Sequence, residues 1–217
     1  MKIIIAAATD LETKIAKEKI LDHQLHEIIF CTTGIGLLSS AVSLMEIVFQ
    51  QRPDLIIHAG IAGGFDKNMQ LGNAFVIKEE ILGDLGVEEN DGWKDIFDLK
   101  LEGENHFPFE NKKLINREIA KWNLLALPET TGLTVNEIST DKKRISQLKE
   151  KYDAALESME GAALHYVCRK SNMPFIQLRT VSNYVGERDK TKWLIKKAIG
   201  NLNEILLKYI DELNKIP

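Results

Sequence analysis

Short apolar segments alternate with amphipathic segments along most of the 217-residue chain, and this alternation most constrains its fold. Residues 2–8 form an isoleucine-rich segment, and residues 54–58 form another short apolar one. Strands that are apolar on both faces are typical of parallel sheets, because helices cover both sides of such a sheet. The alternation therefore predicts an α/β protein with three layers, α/β/α, around a mixed, twisted central sheet. Neither a repeat nor a linker interrupts it, so we expect a single domain over residues 1–217.

Hydrophobic spacing and turn residues predict the order of these elements. We expect strands at residues 2–8, 27–33, 54–58, 73–82, 131–136, 154–159 and 174–182. We expect helices at residues 10–20, 37–51, 112–122, 141–151, 160–170 and 191–214. Apolar residues recur at three-and-four spacing in the helix at 37–51, which predicts one buried face. Its residues are Leu38, Ala41, Val42, Met45, Val48 and Phe49. A glycine-rich bend is expected at 60–64, and residues 83–111 show no clear periodicity.

Composition limits the partners and the cellular location. Lys and Arg total 28 against 32 Asp and Glu, for a net charge of -4, and no basic cluster favours nucleic acid. The apolar runs are far shorter than a membrane span, and the N-terminus is typical of a first strand rather than a signal peptide. Cys31 and Cys168 lie in apolar segments, as expected for reduced, buried thiols of a cytoplasmic protein. Two isolated cysteines without suitably spaced histidines predict no metal site.

Ligands bind at the carboxyl ends of strands in such folds, so the residues after each strand are candidate site residues. These are residues 9–12, 34–36, 60–64, 136–141, 159–160 and 182–189. Gly34-Ile35-Gly36 nearly matches a dinucleotide fingerprint, but Ser39 replaces its third glycine and no acidic residue closes the next strand. The 60–64 segment lacks the Lys-Ser/Thr ending of a phosphate-binding loop. Both observations disfavour nicotinamide, flavin and nucleoside triphosphate, and we expect no cofactor.

Several groups at strand ends have both a functional and a structural interpretation. Glu160, beside the polarizable Met159, can accept hydrogen bonds from two sugar hydroxyls, or it can simply be stabilised at a helix N-terminus. Arg179 lies inside an apolar strand, so it needs a partner in an active site or a core carboxylate. The polar segment after Asn183 suits either a mobile lid or a plain surface loop.

Five motifs occur in an order that resembles the purine nucleoside phosphorylase/uridine phosphorylase superfamily, in its nucleosidase branch. They are Ala8-x-x-x-Glu12, Gly34-Ile35-Gly36, Ala59-Gly60-Ile61-Ala62-Gly63-Gly64, Met159-Glu160-Gly161-Ala162-Ala163 and Arg179-Thr180-Val181-Ser182-Asn183. Within that branch, the Glu-Ser-Met-Glu-Gly sequence at 157–161 and the segment 182–189 are most similar to the futalosine hydrolases. The resemblance implies a nucleoside phosphorylase-like fold and an enzyme that hydrolyses the N-glycosidic bond of a purine nucleoside.

The resemblance also implies a role for each strand-end group. Glu12 would act as the general base that activates the attacking water, and Arg179 would order the carboxylates and this water. Glu160 would hold the ribose hydroxyls, with Met159 under the sugar, and the 60–64 segment would bring backbone against the nucleoside. Ile61 stands where adenine nucleosidases often carry a serine near the water. We expect further substrate contacts at Ile35, Gly36, Ala62, Gly63, Asn136 and Ile138.

Asn183 departs from the related methylthioadenosine/S-adenosylhomocysteine nucleosidases, which carry an aspartate at this position. An asparagine NH2 can donate to a 6-oxo group while its carbonyl accepts from a protonated N7, which fits hypoxanthine and disfavours adenine. An asparagine cannot supply a proton to the leaving base. The resemblance thus implies hydrolysis of futalosine to dehypoxanthine futalosine and hypoxanthine, in menaquinone biosynthesis. The alternatives are an adenine-releasing nucleosidase and a non-catalytic nucleoside-binding protein.

Further expectations concern phosphate, the 5′ end of the substrate and the assembly. The segments 9–14 and 56–65 contain no arginine that would bind phosphate, and only Arg52 is nearby, before the strand at 54–58. Hydrolysis is therefore favoured over phosphorolysis. Related nucleosidases form homodimers, so we expect a homodimer. Futalosine carries a carboxyethyl-benzoyl extension at its 5′ end. The aromatic residues of 83–111 would either cover this extension or pack in the core or at an interface. They are Trp93, Phe97, Phe107 and Phe109.

Overall fold

The computed structural model describes residues 1–20, 25–90 and 92–216, and within these residues the chain forms ten strands and six α-helices. The strands are β1 (Lys2–Ala7), β2 (Glu27–Thr32), β3 (Leu55–Gly64), β4 (Ala74–Leu82), β5 (Gly86–Glu89), β6 (Gly92–Asp95), β7 (Leu114–Ile115), β8 (Glu129–Thr134), β9 (Leu156–Ser158) and β10 (Phe175–Tyr184). The helices are α1 (Asp10–Lys19), α2 (Leu37–Glu46), α3 (Ile119–Trp122), α4 (Lys142–Tyr152), α5 (Gly161–Ser171) and α6 (Ile195–Leu213).

One mixed sheet of eight strands organises the fold. β2, β1, β3 and β10 are neighbours in that order and run parallel. β9 pairs antiparallel with β3, β4 pairs antiparallel with β10, and β8 lies parallel between β4 and β9. These pairings close β3, β10, β4, β8 and β9 into a ring, with β7 paired to β4. The predicted α/β fold with a mixed central sheet and flanking helices is confirmed.

Alternate residues of β1 enter two different cores. Ile3 and Ile5 belong to the core that α1 and α6 cover, whereas Ile4 and Ala6 belong to the core that α2 and α5 cover. Both faces of the strand are therefore buried, which explains why its sequence shows no polar alternation. The helices cover the faces of the sheet, so the strand ends are left to form a site.

The glycine-rich segment 60–64 belongs to β3, so the predicted bend was wrong. β3 continues to Gly64 because both of its edges remain paired, with Gly63 opposite Asn183 of β10 on one side and Glu157 of β9 on the other. A Cβ atom on Gly60 would approach Nη1 of Arg179 to 2.9 Å. Glycine is needed there because a side chain crosses the strand closely, and not because the chain turns.

The helix predicted at 112–122 was also wrong. Asn111 and Lys112 have φ angles of 49° and 68°, outside the helical range, and residues 114–115 pair with β4 instead. Only α3 at the end of this segment is helical. The segment 83–111, predicted as irregular, contains the β5–β6 hairpin, and α6 begins at Ile195 rather than at 191.

The helix predicted at 37–51 is present as α2 followed by a π-helical turn, Ile47–Gln51, but its apolar face is oriented differently. Val48 of the predicted face packs in the core together with Leu44, and Ala41 packs against it, so this part of the prediction is confirmed. Four apolar residues that were expected to be buried are exposed and form what we call the α2 stripe: Leu38, Val42, Met45 and Phe49. The helix carries two apolar faces, and periodicity alone does not tell which one meets the sheet.

The described residues also bear on the predictions about thiols, membranes and metals. Cys168 is buried and Cys31 is half-buried, and both are free thiols. Burial raises the pKa of the Cys168 thiol above its usual value. Over residues 1–20, 25–90 and 92–216, no helix is long and apolar enough to cross a membrane, and no three His, Cys, Asp or Glu side chains cluster as metal ligands.

Candidate active site

The carboxyl ends of the strands open onto a cleft of about 440 Å³. Arg179 is fully buried beneath its floor. Gly36 and Asn136 do not line the cleft either, but Gly36 donates to Glu160 and Asn136 accepts from Leu37. The other eight predicted site residues line the cleft: Glu12, Ile35, Ala62, Gly63, Ile138, Met159, Glu160 and Asn183. Residues that are distant in sequence meet here because each lies in the last residues of a strand of the same sheet or shortly after its end.

Glu12 is held at the start of α1 by three hydrogen bonds. Its Oε2 accepts from the backbone N–H and the hydroxyl of Thr9, at 3.0 and 3.1 Å. Its Oε1 accepts from the backbone N–H of Ile61 in β3, at 3.2 Å. The side chain is almost fully buried, yet it lines the cleft. A carboxylate that is fixed in position and open to one ligand is suited to act as a general base.

Arg179 crosses beneath Gly60 towards Glu12. Its Nη1 donates to the Leu178 carbonyl at 3.2 Å, and its Nη2 lies 3.0 Å from Nδ1 of His58. Burial lowers the pKa of His58 well below its usual value, and the charge of Arg179 lowers it further, so His58 is a neutral acceptor. A Cβ on Gly60 would lie 2.9 Å from Nη1 and 3.1 Å from Oε1 of Glu12, so glycine permits the two charges to approach.

Glu160 stands at the N-terminus of α5 and faces the cleft. Its Oε1 accepts from the backbone N–H of Gly36 at 3.0 Å, and the φ of 86° at Gly36 is one that favours glycine. Asn136 accepts from the backbone N–H of Leu37 at 3.2 Å. Burial raises the pKa of Glu160, and the charge of Arg179 opposes the rise. Gly36 and Asn136 therefore hold Glu160 and the start of α2 in place.

The side chain of Glu80, in β4, supports this corner of the site and was not predicted from the sequence. It accepts hydrogen bonds from Thr134 Oγ1 and Gln177 Nε2, both at 2.8 Å. A Cβ on Gly161 would lie 1.8 Å from Glu80 Oε1, so the glycine that opens α5 makes room for this carboxyl. Burial raises the pKa of Glu80 to about 7. Nothing in the local sequence distinguishes this buried glutamate from an exposed one.

Asn183 extends from the end of β10 with its amide in a defined orientation. Its Oδ1 accepts from the Ser182 hydroxyl at 2.8 Å, and its Nδ2 donates to the Tyr184 carbonyl at 3.1 Å. The Nδ2 atom lies on the side of β3 towards which a Cβ on Gly63 would point, at 3.5 Å. An amide nitrogen carries two N–H groups, so a second donor remains for a ligand in the cleft.

The sequence profile of the phosphorylase superfamily matches residues 4–211 of the chain. The chain belongs to this superfamily. Every residue that lines the cleft lies within the matched range, so the site described above is part of the family's fold and not an addition to it.

Comparison with individual proteins places this phosphorylase-superfamily chain in the nucleosidase branch. A futalosine hydrolase from Thermus thermophilus is 30% identical over 188 residues, which cover 85% of this chain and 81% of that protein. A 5'-methylthioadenosine/S-adenosylhomocysteine nucleosidase from Bacillus velezensis is 23% identical over 238 residues, 99% of this chain and all of that protein. The structure of a nucleosidase of the latter type from Colwellia psychrerythraea, in complex with adenine, gives a TM-score of 0.80 at 19% identity, covering 98% and 96% of the chains. The predicted branch and enzyme class, N-glycosyl hydrolase, are confirmed at this level, whereas the relatives differ in the substrate they are named for.

In this superfamily member, the far wall of the cleft includes residues that the sequence did not single out. Trp193 precedes α6, and Ile195 and Ile199 of its first turns face the cleft. The Trp193 indole N–H donates to the Glu187 carbonyl at 2.9 Å, and the Arg188 guanidinium lies 5.6 Å from the Trp193 ring centre. The segment predicted as a lid or a surface loop is thus a wall of the cleft. An amphipathic pattern predicts the core-facing side of α6 and carries no signal for its first turns.

The aromatic residues of 83–111 do not line the cleft within the described chain. Phe97 and Phe109 are buried and meet edge-to-face, with ring centres 5.1 Å apart. Trp93 donates to the Tyr152 hydroxyl at 2.9 Å, against α4. Core packing therefore accounts for these three, whereas Phe107 is exposed.

Proposed function

We propose that the protein hydrolyses the N-glycosidic bond of a 6-oxopurine nucleoside, futalosine, to dehypoxanthine futalosine and hypoxanthine in menaquinone biosynthesis. The orientation of the Asn183 amide carries the proposal. Asn183 lines the cleft, and its Nδ2 has a second N–H besides the one that it donates to Tyr184. A 6-oxo group would accept this N–H, whereas the 6-amino group of adenine would not. A relative named futalosine hydrolase, 30% identical over most of both chains, supports the same substrate.

Glu12, Glu160 and Met159 have separate roles in the proposed reaction. Cleavage of the glycosidic bond develops positive charge on the ribose around C1′. Glu12 takes a proton from the water that attacks C1′. Glu160 accepts hydrogen bonds from the ribose hydroxyls, and Met159 lies against the sugar. Arg179 acts through its position beneath Gly60, where it lies close to Glu12, and its charge opposes the rise in the pKa of the buried Glu160 carboxyl.

The positions of the arginines near β3 and β10 favour hydrolysis over phosphorolysis, because they form no phosphate site beside Glu12. Arg52 ends the helical segment before β3, so it lies at the end of the strand opposite the cleft. Arg179 donates to backbone and to His58 beneath the floor. Arg188 lines the cleft but lies against Trp193, and among the described residues no arginine forms an ion pair with Glu12. A phosphate beside Glu12 would therefore meet a carboxylate, which is unfavourable for an anion.

Trp193 and Arg188 suit the 5′ extension of futalosine. They form an aromatic surface with a cation over it, at the wall of the cleft where Leu11, Ile195 and Ile199 add apolar area. An aromatic group that bears a carboxylate is complementary to such a surface in both shape and charge. The proposal assigns Arg188 to the carboxylate and Trp193 to the aromatic ring.

We also infer that the protein is a cytoplasmic homodimer of one nucleosidase domain per chain. The α2 stripe exposes four apolar residues, with Leu38 at 80% and Phe49 at 64% exposure. Their spacing is that of a helix-pairing seam, and exposed apolar area of this kind marks an interface. The stripe follows Ile35, which lines the cleft, so a second copy packed on it would lie beside the mouth of the cleft.

Product analysis tests the proposed function. Purified protein is incubated with futalosine, inosine, methylthioadenosine and S-adenosylhomocysteine in phosphate-free buffer, and the released bases are separated and identified. Hypoxanthine from futalosine is the expected product. Adenine without hypoxanthine would contradict the proposal and support the adenine-releasing alternative, and binding without any release would support the non-catalytic one.

A further inference from the structure

Glu157 lies across β3 from Asn183. Gly63 of β3 is the register partner of Asn183 on one side and of Glu157 on the other. Directly opposed residues of paired strands point to the same face of a sheet, so the Glu157 side chain rises on the face where Asn183 Nδ2 approaches Gly63. Neighbouring strands are about 4.8 Å apart, so β9 and β10 flank the end of the cleft at roughly 10 Å.

The Glu157 carboxyl is buried and incompletely hydrogen-bonded. The residue is 7% exposed and lines the cleft, and its Oε2 has no hydrogen-bond partner among the described residues. A buried polar atom without a partner is costly, and in a ligand site the ligand often supplies the partner. The Oε2 atom itself is covered, so a bound purine on the side opposite Asn183 would reach the carboxyl through Oε1, which is not among the covered, unpaired atoms.

The charged groups around Glu157 favour its protonated form. Burial raises the pKa of Glu157 to about 7, the Asp84 carboxylate adds to the rise, and Arg144 of α4 opposes it. Asp84 follows β4 and accepts two backbone N–H bonds from the segment after β8. The charge of Arg144 is shared with Glu88 of the β5–β6 hairpin, at 3.9 Å. The strand neighbours of Glu157, Gly63 of β3 and Leu133 of β8, carry no charge.

The reaction requires a proton that Asn183 does not have. When the bond between C1′ and N9 breaks, its electron pair stays on the purine, and a purine anion leaves poorly unless it is protonated. We propose that Glu157 is the general acid that protonates the departing purine. This inference rests on the proposed function.

The proton balance of the step involves two carboxyl groups. The water oxygen bonds to C1′, and the proton it loses passes to Glu12. The bond to N9 breaks, and a purine ring nitrogen takes the proton of Glu157. Glu12 thus gains one proton and Glu157 loses one, and exchange with solvent restores both groups after the products leave.

The pH dependence of Glu157→Gln tests this assignment. In the wild type, kcat/KM for the purine nucleoside that the enzyme cleaves should fall above about pH 7, as Glu157 loses its proton. The glutamine variant keeps the size of the side chain but has no acidic proton. We expect its rate to be about 10² to 10⁴-fold lower, without the alkaline decline. An alkaline decline that persists in the variant would overturn the proposal.

A change of leaving group separates proton donation from a structural role. The probe is 4-nitrophenyl β-D-ribofuranoside, whose leaving group is stable as an anion and needs no acid. Glu157→Gln should reduce cleavage of this probe by less than about 3-fold, and Glu157→Asp should retain more purine-nucleoside activity than the glutamine variant. Equal losses on both substrates, or an unchanged rate on the purine nucleoside, would refute the role. If the probe proves inert, the pH profile decides alone.

The products of the wild type distinguish failure of the Glu157 proposal from failure of the proposed function. If the wild type releases adenine, the proposed substrate fails, and the acid role of Glu157 is still decided by the same variants on the adenine nucleoside. If the wild type cleaves no nucleoside, both proposals fail together with catalysis itself. Melting temperatures within a few degrees of the wild type establish that the variants fold.

Discussion

The Oε1 atom of Glu12 in α1 accepts a hydrogen bond of 3.2 Å from the backbone N–H of Ile61 in β3. This bond joins α1 to β3 across a sequence separation of 49 residues, and it aims the carboxylate across the ends of the strands. The position of Glu12 therefore depends on the backbone of β3 and on the space above Gly60. Substitutions there should affect catalysis more than stability.

Gly60→Ala should lower kcat by about 100-fold, because the added Cβ would displace Arg179 Nη1 at 2.9 Å and Glu12 Oε1 at 3.1 Å. Steady-state kinetics with the best nucleoside substrate measure the effect. Gly200→Ala is the matched control, since a Cβ there meets no atom within 4 Å. Equal activity of the two variants would contradict the close approach described here.

Asn183→Asp should shift the preference from 6-oxopurine to adenine nucleosides. An aspartate accepts from the 6-amino group and has no N–H for a 6-oxo group, so kcat/KM should fall for futalosine and rise for methylthioadenosine. The measurement is the ratio of the two kcat/KM values, and we expect it to change by at least about 100-fold. A constant ratio would show that Asn183 does not read the 6-position.

Arg188→Gln should raise the KM for futalosine by about 10-fold and leave that for inosine unchanged, because only futalosine carries the carboxylate proposed to bind Arg188. Lys190→Gln, an exposed cation of the same segment that does not line the cleft, is the control for net charge. A similar change for both substrates, or an effect of the control as large as that of Arg188→Gln, would remove Arg188 from the 5′ subsite.

Replacement of Leu38 and Phe49 by glutamate should convert the proposed homodimer into monomers, because it introduces charge into the centre of an apolar interface. Light scattering after size-exclusion chromatography measures the mass. The control is Leu25→Glu, an exposed leucine outside the α2 stripe, which should leave the dimer intact. A wild type that is monomeric at micromolar concentration would contradict the assembly.

Glu80→Gln should make the protein's stability less dependent on pH. The folded pKa of Glu80, about 7, lies above the ordinary value of 4.5, so the stabilisation that it contributes is present below pH 4.5 and is lost as the pH rises through 7. Thermal unfolding at pH 5 and pH 8 measures the difference. The wild type should lose stability relative to the variant between these pH values, and a difference that is independent of pH would contradict protonation of Glu80.

The fold was predictable where burial is uniform along an element. The apolar run of β1 is buried on both faces, so its pattern has one interpretation. The α2 stripe was misassigned because α2 has apolar residues on two faces and its partner is chosen by tertiary packing. The glycines of 60–64 were misassigned because close approach to a side chain and a chain reversal both require glycine, and only three-dimensional contacts distinguish them.

The candidate site was predictable where a residue follows a strand. Glu12 and Asn183 were predicted as candidates, and both line the cleft, because the strand ends of such a sheet meet at one edge. The interpretations of Glu80 and Glu157 depend on burial and missing partners, which are properties of packing rather than of local sequence. Trp193 and Arg188 lie in a polar segment whose pattern is the same for a surface loop and for the wall of a cleft.

The ratio of kcat/KM for futalosine to that for methylthioadenosine is the decisive measurement of whether the protein releases a 6-oxopurine. An amide that donates to the 6-position should favour futalosine by on the order of 10³-fold or more. With adenine, the 6-amino group would face the Asn183 N–H, and two buried donors would lack an acceptor. The predicted result is a ratio of this size, with hypoxanthine as the released base. A ratio below one, with adenine as the main product, would rule out futalosine as the preferred substrate.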